Sequence, residues 1–397
     1  MREKYIKLLL ERCINFKLSK SLFISYDIVN QEFVDEVIEY AKKIGVNDIY
    51  LDKHNIYDEH NLLNKVSLEE IENHPSFNDK VWDEWALKDA SFLMLRSPIP
   101  GLMDDIDPKK LAKAEYVRRI TKQIYKRRQL THEIPWCIAT LPNKVWADKV
   151  FPNAENSEEL LEQSIYKICM VDTDNPIESW NKQLENNRKR IAELNNLKLK
   201  CLYYKNSLGT DLKIELLDSS IWNDAATNGL VNLPSYEIFT SPNYKKTEGI
   251  VYSARPLYYN GGLIDEFWLR FENGKVIDYD AKVGKGILKG ILESDSNACY
   301  LGEVALVEND SPISNTGLVY GLTVIDENAS CHLALGRGFG TGIKDGKDLT
   351  EEELLSKGIN VSKIHVDFMV GTSDLEIIGE TFDNQKIKIF ENGNFKK

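Results

Sequence analysis

The first half of the chain alternates short apolar runs with amphipathic segments, and this pattern restricts the possible folds more than any other feature. SLFISY (21–26) and NDIYLD (47–52) have the composition of strands, and QEFVDEVIEYAKKIG (31–45) between them repeats its apolar residues at helical spacing. A strand, a helix and a second strand in this order form a right-handed β-α-β unit with parallel strands. SFLMLR (91–96) and PWCIATLP (135–142) predict further strands. We therefore expect an α/β domain with a mostly parallel sheet.

Beyond residue 200 the pattern changes to strands joined by tight turns. Asn-Gly turns in ENGK (272–275) and ENGN (391–394) separate runs of β-branched and aromatic residues, which is typical of antiparallel hairpins. A charged segment of helical pattern (175–197) closes the first half. The sequence thus predicts two domains, an α/β domain over 1–195 and a β-rich (α+β) domain over 196–397.

Charge and composition exclude several classes of partner. The net charge of −12 argues against nucleic acid, because phosphate binding requires a basic face. One basic run, 109–128, is interpreted as a helix that pairs with the chain's own acids. No run reaches the roughly 18 apolar residues of a membrane span, and the N-terminus lacks the apolar segment of a signal peptide. We expect a cytoplasmic protein with neither a nucleic-acid nor a membrane partner.

The cysteines give no sign of a structural zinc site or of a disulfide framework. None of the six forms a CxxC pair, which excludes a zinc ribbon. They are expected to be reduced thiols, mostly in the core: Cys13, Cys137, Cys169, Cys201, Cys299 and Cys331.

Among the six histidines, His365 has the most informative neighbours. It lies in KIHVDFMVG, where alternation predicts a strand with His365 and Asp367 on one face and Val366, Phe368 and Val370 towards the core. An imidazole and a carboxylate on one rigid face are suitable as adjacent metal ligands. A hydrogen-bonded pair that only orients a structural histidine fits the same spacing, and both interpretations stay open at this point.

His332 lies in DENASCHLALG (326–336), a run of small and apolar residues. A lone histidine in such a run is more often a core residue than a ligand. However, Asp326 and Glu327 precede it closely, and a helix beginning at Glu327 would bring residues four or five positions apart onto nearby faces.

Two acidic residues are placed where burial is costly. Glu303 lies in YLGEVALVE and Glu237 in LPSYEIFTSP, both apolar surroundings. A buried carboxylate needs a cation, hydrogen-bond donors or protonation. Several carboxylates with two histidines are the ligand types of a two-metal hydrolytic site. No GxSxG motif and no recognisable Cys–His nucleophile occurs, which disfavours a covalent hydrolase, and GRGFG (336–340) matches a turn beside a site rather than a phosphate loop.

LPSYEIFTSP, YLGEVALV, DENASCHLALG and HVDFMVG together resemble the thermophilic-type metallo-aminopeptidases, the family of aminopeptidase T, AmpS and PepS. PWCIATLPNKVWADKVFP extends the resemblance to the first half. The resemblance implies an N-terminal α/β domain, a β-rich C-terminal catalytic domain and a homodimer. It also implies metal ligation by a set of five residues: Glu237, Glu303, His332, His365 and Asp367.

By this resemblance the chain is expected to release N-terminal amino acids from peptides with a free amino terminus. Two divalent ions (zinc, cobalt, manganese or magnesium), bridged by Glu303 or Asp367, would activate water. Glu303 and Glu327 are the expected catalytic residues, and Glu327 is either a further ligand or the general base. Alternatives are a catalytically weakened metal-binding homologue and a related dipeptidase or amidase.

One residue departs from the resemblance. Phe339 occupies a position where the family usually has a tyrosine. If the tyrosine hydroxyl serves the reacting carbonyl, its absence here could reduce the reaction rate by a factor on the order of 10² to 10³. The hydroxyl of another residue, such as Tyr320 or Tyr236, could replace that of the missing tyrosine.

Overall fold

A computed structural model describes residues 1–224, 226, 228–259 and 261–396. By its internal contacts the chain forms two compact units, Met1–Trp180 with Ala225–Ser235, and Asn181–Asp224 with Tyr236–Lys397. The expected mixed α/β fold with several sheets is confirmed. The boundary expected near residue 195 falls inside a helix, Pro176–Leu197, and the division into domains 1–195 and 196–397 stays a prediction.

The first unit contains a parallel sheet whose strands follow the order β2-β1-β3-β4. The strands are β1 (Ser21–Asp27), β2 (Asp48–His54), β3 (Ser91–Arg96) and β4 (Trp136–Thr140). All four strands predicted for the first half are thereby confirmed. The helices of this unit are α1 (Arg2–Leu8), α2 (Gln31–Lys43), α3 (Ile56–Lys65), α4 (Leu68–Asn73), α5 (Val81–Leu87), α6 (Pro108–Thr121), α7 (Gln123–Leu130), α8 (Lys144–Val150) and α9 (Ser157–Ile168). Short turns of other helix types lie at Leu9–Cys13, Phe16–Leu18 and Ile28–Asn30.

Helix α2 connects β1 to β2 as the spacing of its apolar residues predicts. Phe33, Val34, Val37 and Ala41 are buried on one stripe, and this apolar face stabilises the helix far more than intrinsic propensity does. Gly45 follows with φ +95°, a left-handed conformation that favours glycine and ends the helix.

The basic run 109–128 forms α6 and α7, which are separated at Lys122, rather than one helix. Its charges pair with acids of the same unit: Lys113 with Glu72 at 2.7 Å, Arg118 with Glu59 at 2.7 Å and Arg128 with Asp89 at 2.6 Å. The interpretation of this run as a self-paired helical face is confirmed.

The second unit is built on a large antiparallel sheet in the order β11-β10-β8-β6-β5-β15-β16-β17, with β9 paired to β10. Asn273 and Gly274, and likewise Asn392 and Gly393, have positive φ, which is the requirement of the two-residue hairpin turns that the sequence predicts. The strands are β5 (Leu199–Lys205), β6 (Asp211–Glu215), β8 (Thr247–Tyr252), β9 (Leu257–Tyr259), β10 (Gly262–Glu272), β11 (Lys275–Val283), β15 (Glu376–Thr381), β16 (Lys386–Glu391) and β17 (Asn394–Phe395).

A smaller antiparallel sheet in the same unit has the order β14-β13-β12-β7. Its strands are β7 (Ile238–Thr240), β12 (Leu301–Leu306), β13 (His332–Gly336) and β14 (His365–Met369). The helices of this unit are α11 (Lys285–Leu292), α12 (Thr323–Asp326) and α13 (Glu351–Ser356), together with the part of α10 (Pro176–Leu197) that begins at Asn181; 3-10 turns lie at Ser314–Thr316, Glu327–Ala329 and Gly340–Gly342. Apolar residues of both sheets form one core cluster, which includes Val304, Leu333, Val366 and Phe368.

The prediction of a helix that begins at Glu327 is wrong. Helix α12 ends at Asp326, and a single 3-10 turn follows before Ser330 turns extended with φ −163°. His332 then pairs with Ala305 and Met369 in the small sheet. Strand pairing on both sides of β13 outweighs the local helical tendency.

All six cysteines are free, buried thiols, as expected. Within the described part of the chain, no helix combines the length and the apolar character needed to cross a membrane.

Candidate metal centre

The register of the small sheet places the candidate ligands on one face. Glu303 on β12 and Asp367 on β14 both lie opposite Ala334 of β13. His332 is two residues before Ala334 and His365 two residues before Asp367, so period-two alternation points all of them to the same side. Directly opposite residues have Cβ atoms about 4.5–5.5 Å apart. The small side chain of Ala334 therefore leaves space between the two carboxylates.

Glu237 joins this face from the other edge of the sheet. It immediately precedes β7, in which Phe239 lies opposite Ala305 of β12. Glu237 is two residues before Phe239, and Glu303 is two residues before Ala305. Alternation along each strand therefore places both carboxylates on the face of the sheet to which this pair points. The structure thus brings together the five sequence-predicted ligands, which are separated by up to 130 positions in the chain (from residue 237 to residue 367).

The donor atoms form two groups that have Glu303 in common. In the first, Nε2 of His332 lies 3.0 Å from Oε2 of Glu237 and 4.0 Å from Oε1 of Glu303. In the second, Nε2 of His365 lies 3.1 Å from Oε2 of Glu303 and 3.2 Å from Oδ1 of Asp367. Within each group one donor atom per residue lies within 4.8 Å of the others. The two oxygens of Glu303 thus face different histidines.

Backbone carbonyls orient both imidazoles. Nδ1 of His365 lies 2.7 Å from the carbonyl oxygen of Arg337, and Nδ1 of His332 lies 3.4 Å from that of Ser330. With Nδ1 as the donor to a carbonyl, Nε2 of each ring is directed at the carboxylates and is the atom available to a metal. Arg337 belongs to GRGFG, so this motif lies next to the candidate ligand His365, and its interpretation as a turn beside a site stays a prediction.

Glu327 lies close to this cluster but belongs to neither donor group. It is 7% exposed. Burial raises the pKa of its carboxyl well above the usual range, and the negative charges of Asp367 and Glu237 raise it further. A carboxyl with a raised pKa beside potential ligands is suited to hold and release a proton.

The electrostatics of the cluster fit divalent cations. Four buried carboxylates face two histidines: Glu237, Glu303, Glu327 and Asp367 against His332 and His365. Burial raises the pKa of Glu303 even though His365 opposes this change. Burial by itself lowers the pKa of His332, yet Glu237, Asp367 and Glu303 together raise it to about 10. Such a cluster attracts positive charge, and carboxylate oxygens with imidazole nitrogens are the donors that divalent metals accept.

Phe339 lies at the edge of the centre. Its ring centroid is 4.9 Å from that of His365 and 5.8 Å from that of Phe239. Of the two hydroxyls considered as replacements for a tyrosine here, that of Tyr320 lies 3.5 Å from Oγ1 of Thr316. Tyr236 is buried and directly precedes Glu237.

The first unit contains a histidine network that the spacing of residues did not indicate. His54 at the end of β2 lies 3.3 Å from Asp27 and 2.5 Å from Glu59, and Glu59 also pairs with Arg118. Only Glu59 is near His54 in sequence, so the sequence signal was one acid five residues away. The other partners meet through the parallel pairing of β1 with β2 and through α6.

Comparison with known proteins assigns the family. A model of the thermophilic metalloprotease (M29) family matches residues 1–395. The chain belongs to the M29 metalloprotease family. The resemblance inferred from the sequence motifs is therefore confirmed, and membership of this family implies a divalent metal cofactor.

Relatives of this M29 chain match it along nearly its whole length. Aminopeptidase 2 of Geobacillus stearothermophilus is 33% identical over 401 residues, which cover 99% of this chain and 97% of the relative. Aminopeptidase AmpS of Bacillus subtilis is 33% identical over 402 residues, with 98% and 97% coverage. The structure of wild-type AmpT from Thermus thermophilus is similar with a TM-score of 0.89 and 26% identity, covering 100% of this chain and 99% of that one.

Proposed function

We propose that this M29 chain is a metal-dependent aminopeptidase that releases N-terminal amino acids from peptides with water activated by two divalent ions. The enzyme class, a metallo-aminopeptidase, is confirmed by the family match and by relatives named aminopeptidases. The number of ions, the ligand set and the roles of individual residues are proposals.

The observation that carries the two-ion proposal is the position of Glu303. Its two carboxylate oxygens face His332 and His365 separately, and it is the residue common to both donor groups. A carboxylate in this position can bridge two ions. This geometry favours Glu303 over Asp367 as the bridge, because Asp367 pairs with His365 alone among the two histidines.

We assign Glu237, His332 and Glu303 to one ion, and His365, Asp367 and Glu303 to the other. Two divalent ions held by these residues would supply a nucleophile at neutral pH by acidifying water and would polarise the carbonyl that is attacked. Glu327, which is buried near these ligands but belongs to neither donor group, takes the proton from water and transfers it to the leaving amine. Glu303, the other expected catalytic residue, would contribute by holding both ions.

The remaining expectations are also part of the proposal. The ions are zinc, cobalt, manganese or magnesium, all of which accept carboxylate-rich sites with imidazoles. A free amino terminus of the peptide substrate is recognised by acidic side chains or by an ion. The separation into an N-terminal α/β domain and a C-terminal catalytic domain, the homodimer and the cytoplasmic location stay predictions.

Metal depletion and reconstitution test the proposal. Chelated protein is supplied with each of the four metals in turn, and turnover of leucyl and arginyl reporters is measured. Activity should return with metal, and Glu303→Ala and His365→Ala should abolish it. Glu308→Ala and His74→Ala are matched controls, since Glu308 pairs with Arg190 and His74 lies in the first unit. Full activity of both centre variants would contradict the ligand assignment.

A catalytically weakened homologue is the second candidate. The phenyl ring of Phe339 packs beside His365 and offers no hydroxyl to a substrate carbonyl. Turnover near the uncatalysed rate with intact metal binding would favour this candidate. A dipeptidase or amidase is distinguished by comparing peptides with free and acetylated amino ends, because only an aminopeptidase requires the free amine.

A further inference from the structure

Asn328 is a fully buried polar residue beside the centre that the proposed mechanism does not use. It is 0% exposed. Its Oδ1 accepts a hydrogen bond from the backbone N–H of Tyr236 at 2.6 Å, and its Nδ2 donates to the carbonyl of Val324 at 3.4 Å. Both functional atoms of the amide are therefore engaged with backbone.

The bond to Tyr236 acts on the chain immediately before Glu237. Strand β7 begins only at Ile238, so the strand pairing of the small sheet holds the chain after Glu237 but not before it. On the other side of the same residue, Nδ2 of Asn187 lies 3.5 Å from the carbonyl oxygen of Glu237. Asparagine side chains thus fix the backbone around this proposed ligand.

The segment that carries Asn328 is itself firmly anchored. The carboxylate of Asp326 accepts hydrogen bonds from three backbone N–H groups, those of Tyr320 at 2.9 Å, Gly321 at 2.8 Å and Leu322 at 3.2 Å. Asp326 is 2% exposed. The 3-10 turn Glu327–Ala329 follows directly, so one short anchored segment presents both Glu327 and Asn328.

We propose that Asn328 is a positioning residue that holds Glu237 opposite His332 and so sets the affinity of one of the two metal ions. The proposal rests on the proposed function, in which Glu237, His332 and Glu303 share that ion. The ion assigned to His365, Asp367 and Glu303 has no ligand in the segment that Asn328 holds. Removal of the side chain should therefore weaken one ion selectively.

A purely structural role makes a different prediction. If the bond served only to satisfy a buried backbone donor, its loss would destabilise the fold without distinguishing between the ions. Replacement of a residue that orients a metal ligand costs about 10- to 100-fold in metal affinity. The measurement that separates the two roles is the number and affinity of bound ions, not activity.

The experiment is a cobalt titration of metal-free full-length protein, followed by visible absorption and by equilibrium dialysis. Wild type should bind two ions per chain, and Asn328→Ala should bind one of them about 10- to 100-fold more weakly. Asn195→Ala is the matched control: Asn195 accepts from the N–H of Trp222 at 2.8 Å and donates to its carbonyl at 3.2 Å. This control should bind both ions as wild type does.

Asn328→Asp keeps an acceptor oxygen for the Tyr236 N–H and tests the proposal even if the alanine variant does not fold. It should retain both ions. Any of three results would overturn the proposal. These are equal metal binding by Asn328→Ala and wild type, the same selective loss of one ion in Asn195→Ala, and loss of an ion in Asn328→Asp. A wild-type protein that binds fewer than two ions would instead contradict the proposed two-metal function.

Discussion

Replacing Glu327 with glutamine separates proton transfer from metal binding in the candidate centre. Glutamine keeps the size and shape of the side chain but cannot accept a proton. Glu327 is absent from both donor groups, so the variant should retain both ions. Loss of a positioned general base typically reduces turnover by about 10²- to 10⁴-fold, which corresponds to about 3 to 5 kcal/mol in the activation barrier.

The surroundings of Glu327 also predict the effect on stability. Burial and the nearby charges of Asp367 and Glu237 disfavour its ionised form, which is why its pKa is raised. A neutral amide resembles the protonated carboxyl and cannot acquire the charge that this buried, acidic surrounding disfavours. The metal-free Glu327→Gln protein should therefore melt no lower than metal-free wild type, although its activity is greatly reduced.

The assay combines kcat on a leucyl reporter, ions bound per chain after desalting, and thermal unfolding of the metal-free proteins. Glu308→Gln serves as control because Glu308 forms an ion pair with Arg190 away from the donor groups. A kcat within about tenfold of wild type would refute the role of Glu327 in proton transfer. Loss of an ion would instead identify Glu327 as a metal ligand.

Three further predictions follow from other residues. At a free ion concentration of about 100 times Kd, metal should stabilise wild type by about 3 kcal/mol, and Glu303→Gln should show no such increment in denaturant titrations with and without chelator. Stability should decrease as the pH rises from 6.5 to about 9, because Asp27 and Glu59, against the effect of burial, raise the pKa of His54 and favour its protonated form in the fold. Since the His54 side chain is 39% exposed, the loss in the free energy of unfolding is about 1 kcal/mol. His54→Gln should lack this pH dependence, and parallel curves of unfolding free energy against pH for the two proteins would contradict the prediction. Phe339→Tyr should increase kcat by much less than the 10²- to 10³-fold effect of an oxyanion donor, whereas a gain of that size from a near-zero background would identify a weakened homologue.

Local patterns predicted many elements because their causes are local. The apolar stripe of α2, the strands of the parallel sheet and the Asn-Gly hairpin turns depend on residues within a few positions of one another. The same holds for His365 and Asp367, whose spacing of two on a strand places them on one face. The helix expected from Glu327 failed because pairing of His332 with two neighbouring strands, which no local pattern encodes, decides the conformation there.

Residues distant in the chain met only in the tertiary structure. Ala334 was not recognised as part of the centre, although it lies opposite both Glu303 and Asp367 and its small side chain leaves space between them. Asn328 was also missed, since the residues around it give no sign that its side chain accepts a hydrogen bond from the backbone N–H of Tyr236, 92 positions away. The network of His54 with Asp27 and Arg118 depends in the same way on β1, β2 and α6.

The sequence by itself determined the alternation of strands and helices, the unusual burial of Glu237 and Glu303, and the motifs that identify an M29 metalloprotease. The tertiary structure decided that five distant side chains share one face and that Glu303 lies between two histidines. The reason is physical: periodicity controls which way a side chain points, but the spacing between side chains on different strands depends on hydrogen-bonded register.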